Sequence, residues 1–149
     1  MRWLLIALTA SGCASPPSPR PLPSPDPLAF AAAVQPLLDG RCADPSCHGR
    51  PERALSLYSP LHFRSDPRHT YLDEPLDEEE LRHNVRMLVA FLVDLPPGTT
   101  VDDCLVLRKP LALAAGGCDH LGGAQFPSRD ERGYRQLRSW FAGAAAGAP

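Results

Sequence analysis

GRCADPSCHGR (residues 40–50) carries Cys42 and Cys47 with four residues between them, and His48 directly after the second thiol. Two thiols and an imidazole this close can close a disulfide turn, ligate a metal ion, or be modified covalently as a group. The choice decides the fold, because it says whether the chain wraps only itself or something else as well.

The 149 residues suit one domain with a real core. The net charge of −2, without a long basic tract, argues against nucleic acid as a partner. Eighteen prolines stand well above ordinary usage and are unevenly placed. Seven of them fall in ASPPSPRPLPSPDP (14–27), a stretch that cannot build a core and reads as an extended, fairly stiff spacer.

Before the spacer, Arg2 and the short apolar run WLLIALTA (3–10) read as a targeting segment, too short to span a membrane as a helix. ASGC (10–13) resembles the lipobox of bacterial lipoproteins, with Ala10 where that family usually has leucine. The resemblance implies that Cys13 becomes the lipidated first residue. An ordinary secretory signal cut near Ala14 is the alternative, and either exports the chain to an oxidising compartment. Ala14 and Ser15 offer no aspartate after Cys13, which favours the outer membrane over the inner.

Three helices are signalled in the folded part. Asp26 and Pro27 start the first, and Phe30, Val34, Leu37 and Leu38 form its apolar stripe. Pro36 should kink or shorten it, and Gly40 can end it. The second spans about 77–93: Asp77 and Glu80 form a capping box, Leu76 and Leu81 a staple, and Leu81, Val85, Leu88, Val89 and Leu92 the buried face. Glu78, Glu79 and Glu80 are explained by capping rather than by a cation site. The third runs from about Arg129 to Ala142 behind a Ser128 cap, burying Tyr134, Leu137, Trp140 and Phe141. Arg129, Arg132, Arg135 and Arg138 make a solvated row beside it. DCLVLRKPLALAA (103–115) holds a short helical turn, and no alternating strand is evident. The expected fold class is all-α.

A histidine directly after the second of two close cysteines is the feature of c-type haem attachment. Each thiol would add to a haem vinyl group, and the histidine would reach the iron from one face. The common spacing has two residues between the cysteines; this chain has four. Zinc is a competitor, with Cys42, Cys47 and His48 joined by His62, His69, His83 or His120, but no second ligand pair stands at finger-like spacing. A Cys42–Cys47 disulfide with His48 on the surface is the other alternative.

The chain from about Phe30 to Phe141 resembles the small cytochrome c-like domains of exported bacterial proteins. VQPLLDGRCADPSCHG (34–49), ALSLYSP (54–60) and HLGGAQFPSRDERGYRQLRSWF (120–141) carry the resemblance. It implies one covalently attached haem c on Cys42 and Cys47, His48 as proximal ligand, and first and last helices crossing beside the haem. Such domains usually take a methionine near the last helix as distal ligand. Met87 lies instead in the second helix, where a core role is expected, and His120 lies in a loop flanked by Gly116, Gly117, Gly122 and Gly123. His120 is therefore the candidate distal ligand, and His62, His69 and His83 are expected to be exposed. Cys104 and Cys118 remain, and can pair.

No nucleophile–base constellation stands out, so the chain reads as an electron carrier or haem-binding module, not an enzyme. The expected organisation is a signal peptide at 1–12, a tether at 13–27, a cytochrome c-like helical domain at 28–143 and a C-terminal tail at 144–149. The expected partners are an envelope redox protein and, through lipid, the membrane. The rival function is a haem-free, disulfide-stabilised envelope lipoprotein acting in structural or protein–protein interaction.

Overall fold

The computed structural model describes residues 26–146, apart from Asp94 and Pro97. Cys13, the signal segment, all but the last two residues of the tether, and residues 147–149 lie outside the described residues. Helices and turns make up the described chain, and its single extended pairing is an isolated parallel bridge between Leu111 and Phe126. The all-α expectation holds.

The first helix starts as expected, with the Asp26 carboxylate accepting the Leu28 N–H at 2.9 Å and Pro27 in the first turn. Pro36 has no N–H to offer the carbonyl one turn back. The ladder widens just before it: Pro27–Ala29 is α-helical, Phe30–Val34 is a π-turn closed by the Gln35 N–H on the Phe30 carbonyl, and Gln35–Arg41 is α-helical again. The proline is thus absorbed without ending the helix. Nor does Gly40 end it: the helix runs to Arg41, and Cys42 closes it with its N–H on the Leu38 carbonyl at 2.8 Å.

The second helix, Glu78–Val93, has the expected capping box. The Glu80 N–H donates to Asp77 Oδ1 at 2.9 Å, and the Asp77 N–H to Glu80 Oε2 at 3.2 Å. Leu88, Val89 and Leu92 enter the core, with Leu81 and Val85 at its edge. Met87 is half-buried and takes no place in that core, contrary to expectation.

The last helix, Arg132–Ala146, begins three residues later than expected and runs past residue 143. Glu131, not Ser128, caps it, accepting the Tyr134 N–H at 3.0 Å; Ser128 instead supports the turn before it. Tyr134, Leu137, Trp140 and Phe141 are buried as expected. Half of the arginine row is tied down: Arg138 grips Asp102 with two bonds of 2.7 Å, and Arg129 stands 3.5 Å from the same carboxylate. Asp102 belongs to a short turn, Val101–Asp103, followed by the short helix Leu105–Arg108.

The last helix packs on the π-turn of the first and, to the same extent, on the Val101–Asp103 turn. Phe30 and Trp140 meet at 5.2 Å between ring centroids. A Cβ on Gly133 would come within 2.8 Å of Leu37 Cδ1, so glycine lets the helices close there. Each buried side chain of this kind contributes about 1.5–3 kcal/mol. A buried polar link ties segment 54–60 to both helices. Asn84 accepts from the Tyr58 N–H (2.8 Å) and donates to Gln35 Oε1 (2.9 Å) and to the Tyr58 carbonyl (2.8 Å).

Candidate functional site

The four residues between Cys42 and Cys47 do not stretch the motif; they fold back on themselves. Ala43 is fully buried, and its N–H joins that of Cys42 on the Leu38 carbonyl. The Asp44 carbonyl accepts from the N–H groups of Cys47 (2.8 Å) and Gly49 (2.9 Å), while its carboxylate accepts from the Ser46 N–H at 2.7 Å. The loop then closes, with the His48 N–H on the Cys42 carbonyl at 3.0 Å. A Cβ on Gly49 would lie 2.0 Å from the Ala43 carbonyl oxygen, so only glycine fits after the histidine. Arg53 clasps the outside, donating to the carbonyls of Cys47 (2.8 Å) and Ser46 (3.1 Å).

His48 is held by segment 54–60. Its Nδ1 lies 2.9 Å from the Leu55 carbonyl, and its own carbonyl accepts the Leu57 N–H at 2.8 Å. A carbonyl can only accept, so Nδ1 carries the proton and Nε2 keeps a free lone pair. Burial pushes the His48 pKa below the ordinary histidine value; the Leu55 bond opposes this, and the charges of His120, Arg53 and Lys109 reinforce it. The ring is therefore neutral at pH 7, the form that ligates metals.

His120 repeats the arrangement on a different scaffold. Its Nδ1 lies 2.9 Å from the Gly123 carbonyl, and the Gly123 N–H returns to the His120 carbonyl at 2.8 Å. Gly123 has φ +71°, a conformation that glycine supplies without strain. The loop is anchored at both ends: the Cys118 N–H on the Arg108 carbonyl at 3.1 Å, and the Gln125 and Phe126 N–H groups on the Pro110 carbonyl at 2.7 and 2.9 Å.

These two scaffolds bring the His48 and His120 rings to 6.0 Å between centroids, with their planes 10° from parallel. That separation is within the ordinary range of offset-stacked rings. It would equally suit two imidazoles sharing one metal atom through Nε2, with about 2 Å from nitrogen to metal plus roughly 1 Å from nitrogen to ring centre for each, about 6 Å in all. The sequence presents His48 and His120 as a proximal–distal pair, and the fold brings their rings side by side.

The cysteines differ in surroundings. Cys42 packs against the core, and burial, with Cys47 nearby, pushes its thiol up to about 11 against the pull of Arg41. Cys47 sits on the turn, its sulfur 3.6 Å from the Ser46 hydroxyl. Cys104 is fully buried with its thiol 3.7 Å from the Phe91 carbonyl, and Cys118 is half-buried. All four described cysteines are free thiols, so neither Cys42–Cys47 nor Cys104–Cys118 is bonded.

The remaining histidines are half-buried rather than exposed. His69 Nδ1 stands 2.6 Å from Glu74, and His83 packs on the Tyr58 ring with Nε2 3.1 Å from the Ser56 carbonyl. Among the described residues no three His, Cys, Asp or Glu side chains converge as a metal-binding group. The zinc set is therefore not assembled there. Sequence reasoning missed the supporting groups, Arg53 and the Leu55 and Gly123 carbonyls, because backbone acceptors carry no residue signature. It also missed Arg64, whose buried guanidinium meets Glu80. Comparisons with protein-family models, with characterised proteins and with solved structures return no match for this chain.

Proposed function

We propose that this chain is a membrane-tethered, single-haem c-type cytochrome-like protein that carries electrons, or holds haem, in the cell envelope. The observation that carries the reading is the pair of near-parallel imidazoles at 6.0 Å, each with Nδ1 bonded to a carbonyl and Nε2 free. Such carbonyl bonds are the usual outer support of a ligating histidine, fixing its tautomer and orientation.

In this reading His48 and His120 would ligate the haem iron, and Cys42 and Cys47 would hold the porphyrin through thioether bonds. The bound haem would supply one-electron iron chemistry. The chain's own part is to present two imidazoles whose Nδ1 atoms are tied to carbonyls, to hold them with the loops at 42–49 and 118–126, and to keep His48 half out of water. Cys13 supplies the lipid anchor. No described helix is long and apolar enough to cross a membrane.

The test is expression of the whole chain with a haem-maturation system. A purified protein that is red, and whose mass exceeds the polypeptide by one haem after acid-acetone extraction, supports the reading. A colourless protein, or a Cys42–Cys47 peptide two hydrogens light, favours the haem-free, disulfide-stabilised lipoprotein.

A further inference from the structure

We infer that the two attachment cysteines are unequal: Cys47 is the thiol that joins the haem first and can hold it alone, and Cys42 closes the second bond afterwards. The inference rests on the haem reading above and adds an order to it.

The asymmetry is geometric. Cys42 is the residue that ends the first helix; its N–H is used by Leu38, and its side chain packs with the core. Cys47 stands on a polar turn beside the Ser46 hydroxyl and outside that core cluster. It also precedes His48, whose ring the Leu55 carbonyl already orients. A vinyl group brought in by contact between iron and His48 is thus one residue from the Cys47 sulfur, which makes the addition effectively intramolecular. Cys42 lies across the folded spacer and must be uncovered from apolar neighbours.

The bond chemistry is the same at both positions. The sulfur adds to the inner vinyl carbon, the thiol proton ends on the outer carbon, and the carbon–carbon double bond becomes single. Nothing is oxidised or reduced. The two differ in access: Cys42 packs against the core cluster, and Cys47 lies outside it on the turn.

Two measurements test this. Iodoacetamide labelling of the folded, haem-free chain, read by peptide mass, should modify Cys47 several-fold faster than Cys42; equal rates, or Cys42 first, overturn the inference. With haem-maturation machinery, Cys42→Ala should keep at least half of the covalent haem of the parent, and Cys47→Ala less than a tenth. Cys42→Ser serves if the alanine variant does not accumulate. Equal losses, or the reverse order, overturn the inference while leaving the haem reading intact. A parent chain without covalent haem overturns that reading, and the attachment order falls with it.

Discussion

Arg64 and Glu80 form a buried ion pair, Nε to Oε1 at 3.0 Å and Nη2 to Oε2 at 2.8 Å, and the same guanidinium donates to the carbonyls of Glu74 and Pro75 at 3.2 Å. Glu80 therefore does two jobs at once: it caps the second helix and clamps the loop before it. Ser65 adds its N–H (2.8 Å) and hydroxyl (2.9 Å) to the same carboxylate. Burial alone would raise the Glu80 pKa, but the bonds from Arg64, Ser65 and Asp77 outweigh it and hold the carboxyl at about 2.

Removing one partner of this pair leaves the other charge buried. Glu80→Gln should destabilise the fold by about 3–5 kcal/mol, while Arg64→Met with Glu80→Leu should recover much of the loss. Urea unfolding at pH 7 measures both, and a Glu80→Gln cost under 1 kcal/mol contradicts the role given to the pair.

The same carboxylate sets an acid limit. Its pKa is lower in the folded chain than the ordinary 4.5, so its contribution is complete above that value and is lost as pH falls toward about 2. Unfolding followed by circular dichroism between pH 5 and pH 2 should show stability falling through this window, and the slope should shrink in the double replacement.

On the haem reading proposed above, His120→Ala should turn a low-spin ferric spectrum high-spin, because it removes the proposed distal ligand. Met87→Leu should leave the spectrum as it is. Bis-histidine ligation should also give a lower potential than histidine–methionine ligation. A spin change in Met87→Leu alone would assign the distal position to the second helix.

Gly49→Ala places a Cβ 2.0 Å from the Ala43 carbonyl oxygen. Relief of that contact must open the folded spacer, at a cost of about 3 kcal/mol, and should lower covalent haem yield several-fold. Gly40→Ala is the control: nothing lies within 4 Å of a Cβ there, and it should be silent or slightly stabilising.

Cys13→Ser should release the exported chain from the membrane fraction. A variant that still sediments with membranes as the parent does would refute the lipid anchor.

The helices were legible because their signals are local. The Asp77/Glu80 box and the Tyr134, Leu137, Trp140 and Phe141 stripe depend only on residues within a few turns. The start of the last helix was misplaced because Ser128 and Glu131 are both competent caps, and the choice between them depends on Arg41, which contacts Glu131 from the first helix at 3.1 Å. His83 and Arg64 were missed for a related reason. Their partners, Ser56 and Glu80, lie 27 and 16 residues away, beyond any periodic pattern. At the site, residue types pointed to Cys42, Cys47, His48 and His120. What could not be read was that the spacer folds back to return His48 to Cys42, or that the two rings come out nearly parallel.

The π-turn at Phe30–Val34 acts as a phase adjuster. One residue is about 100° of rotation around an α-helix, so the extra residue held in that turn sets the angle at which everything after it leaves the axis. Phe30 and Val34 are buried in the core, and Cys42, which closes the helix, packs against the same core. Deleting a single alanine from Ala31–Ala33 would let an ordinary α-ladder form up to the proline. It would also swing Cys42 by about a quarter-turn relative to the last helix. Pro36, which forbids the regular ladder, is in this sense what aims the cysteine.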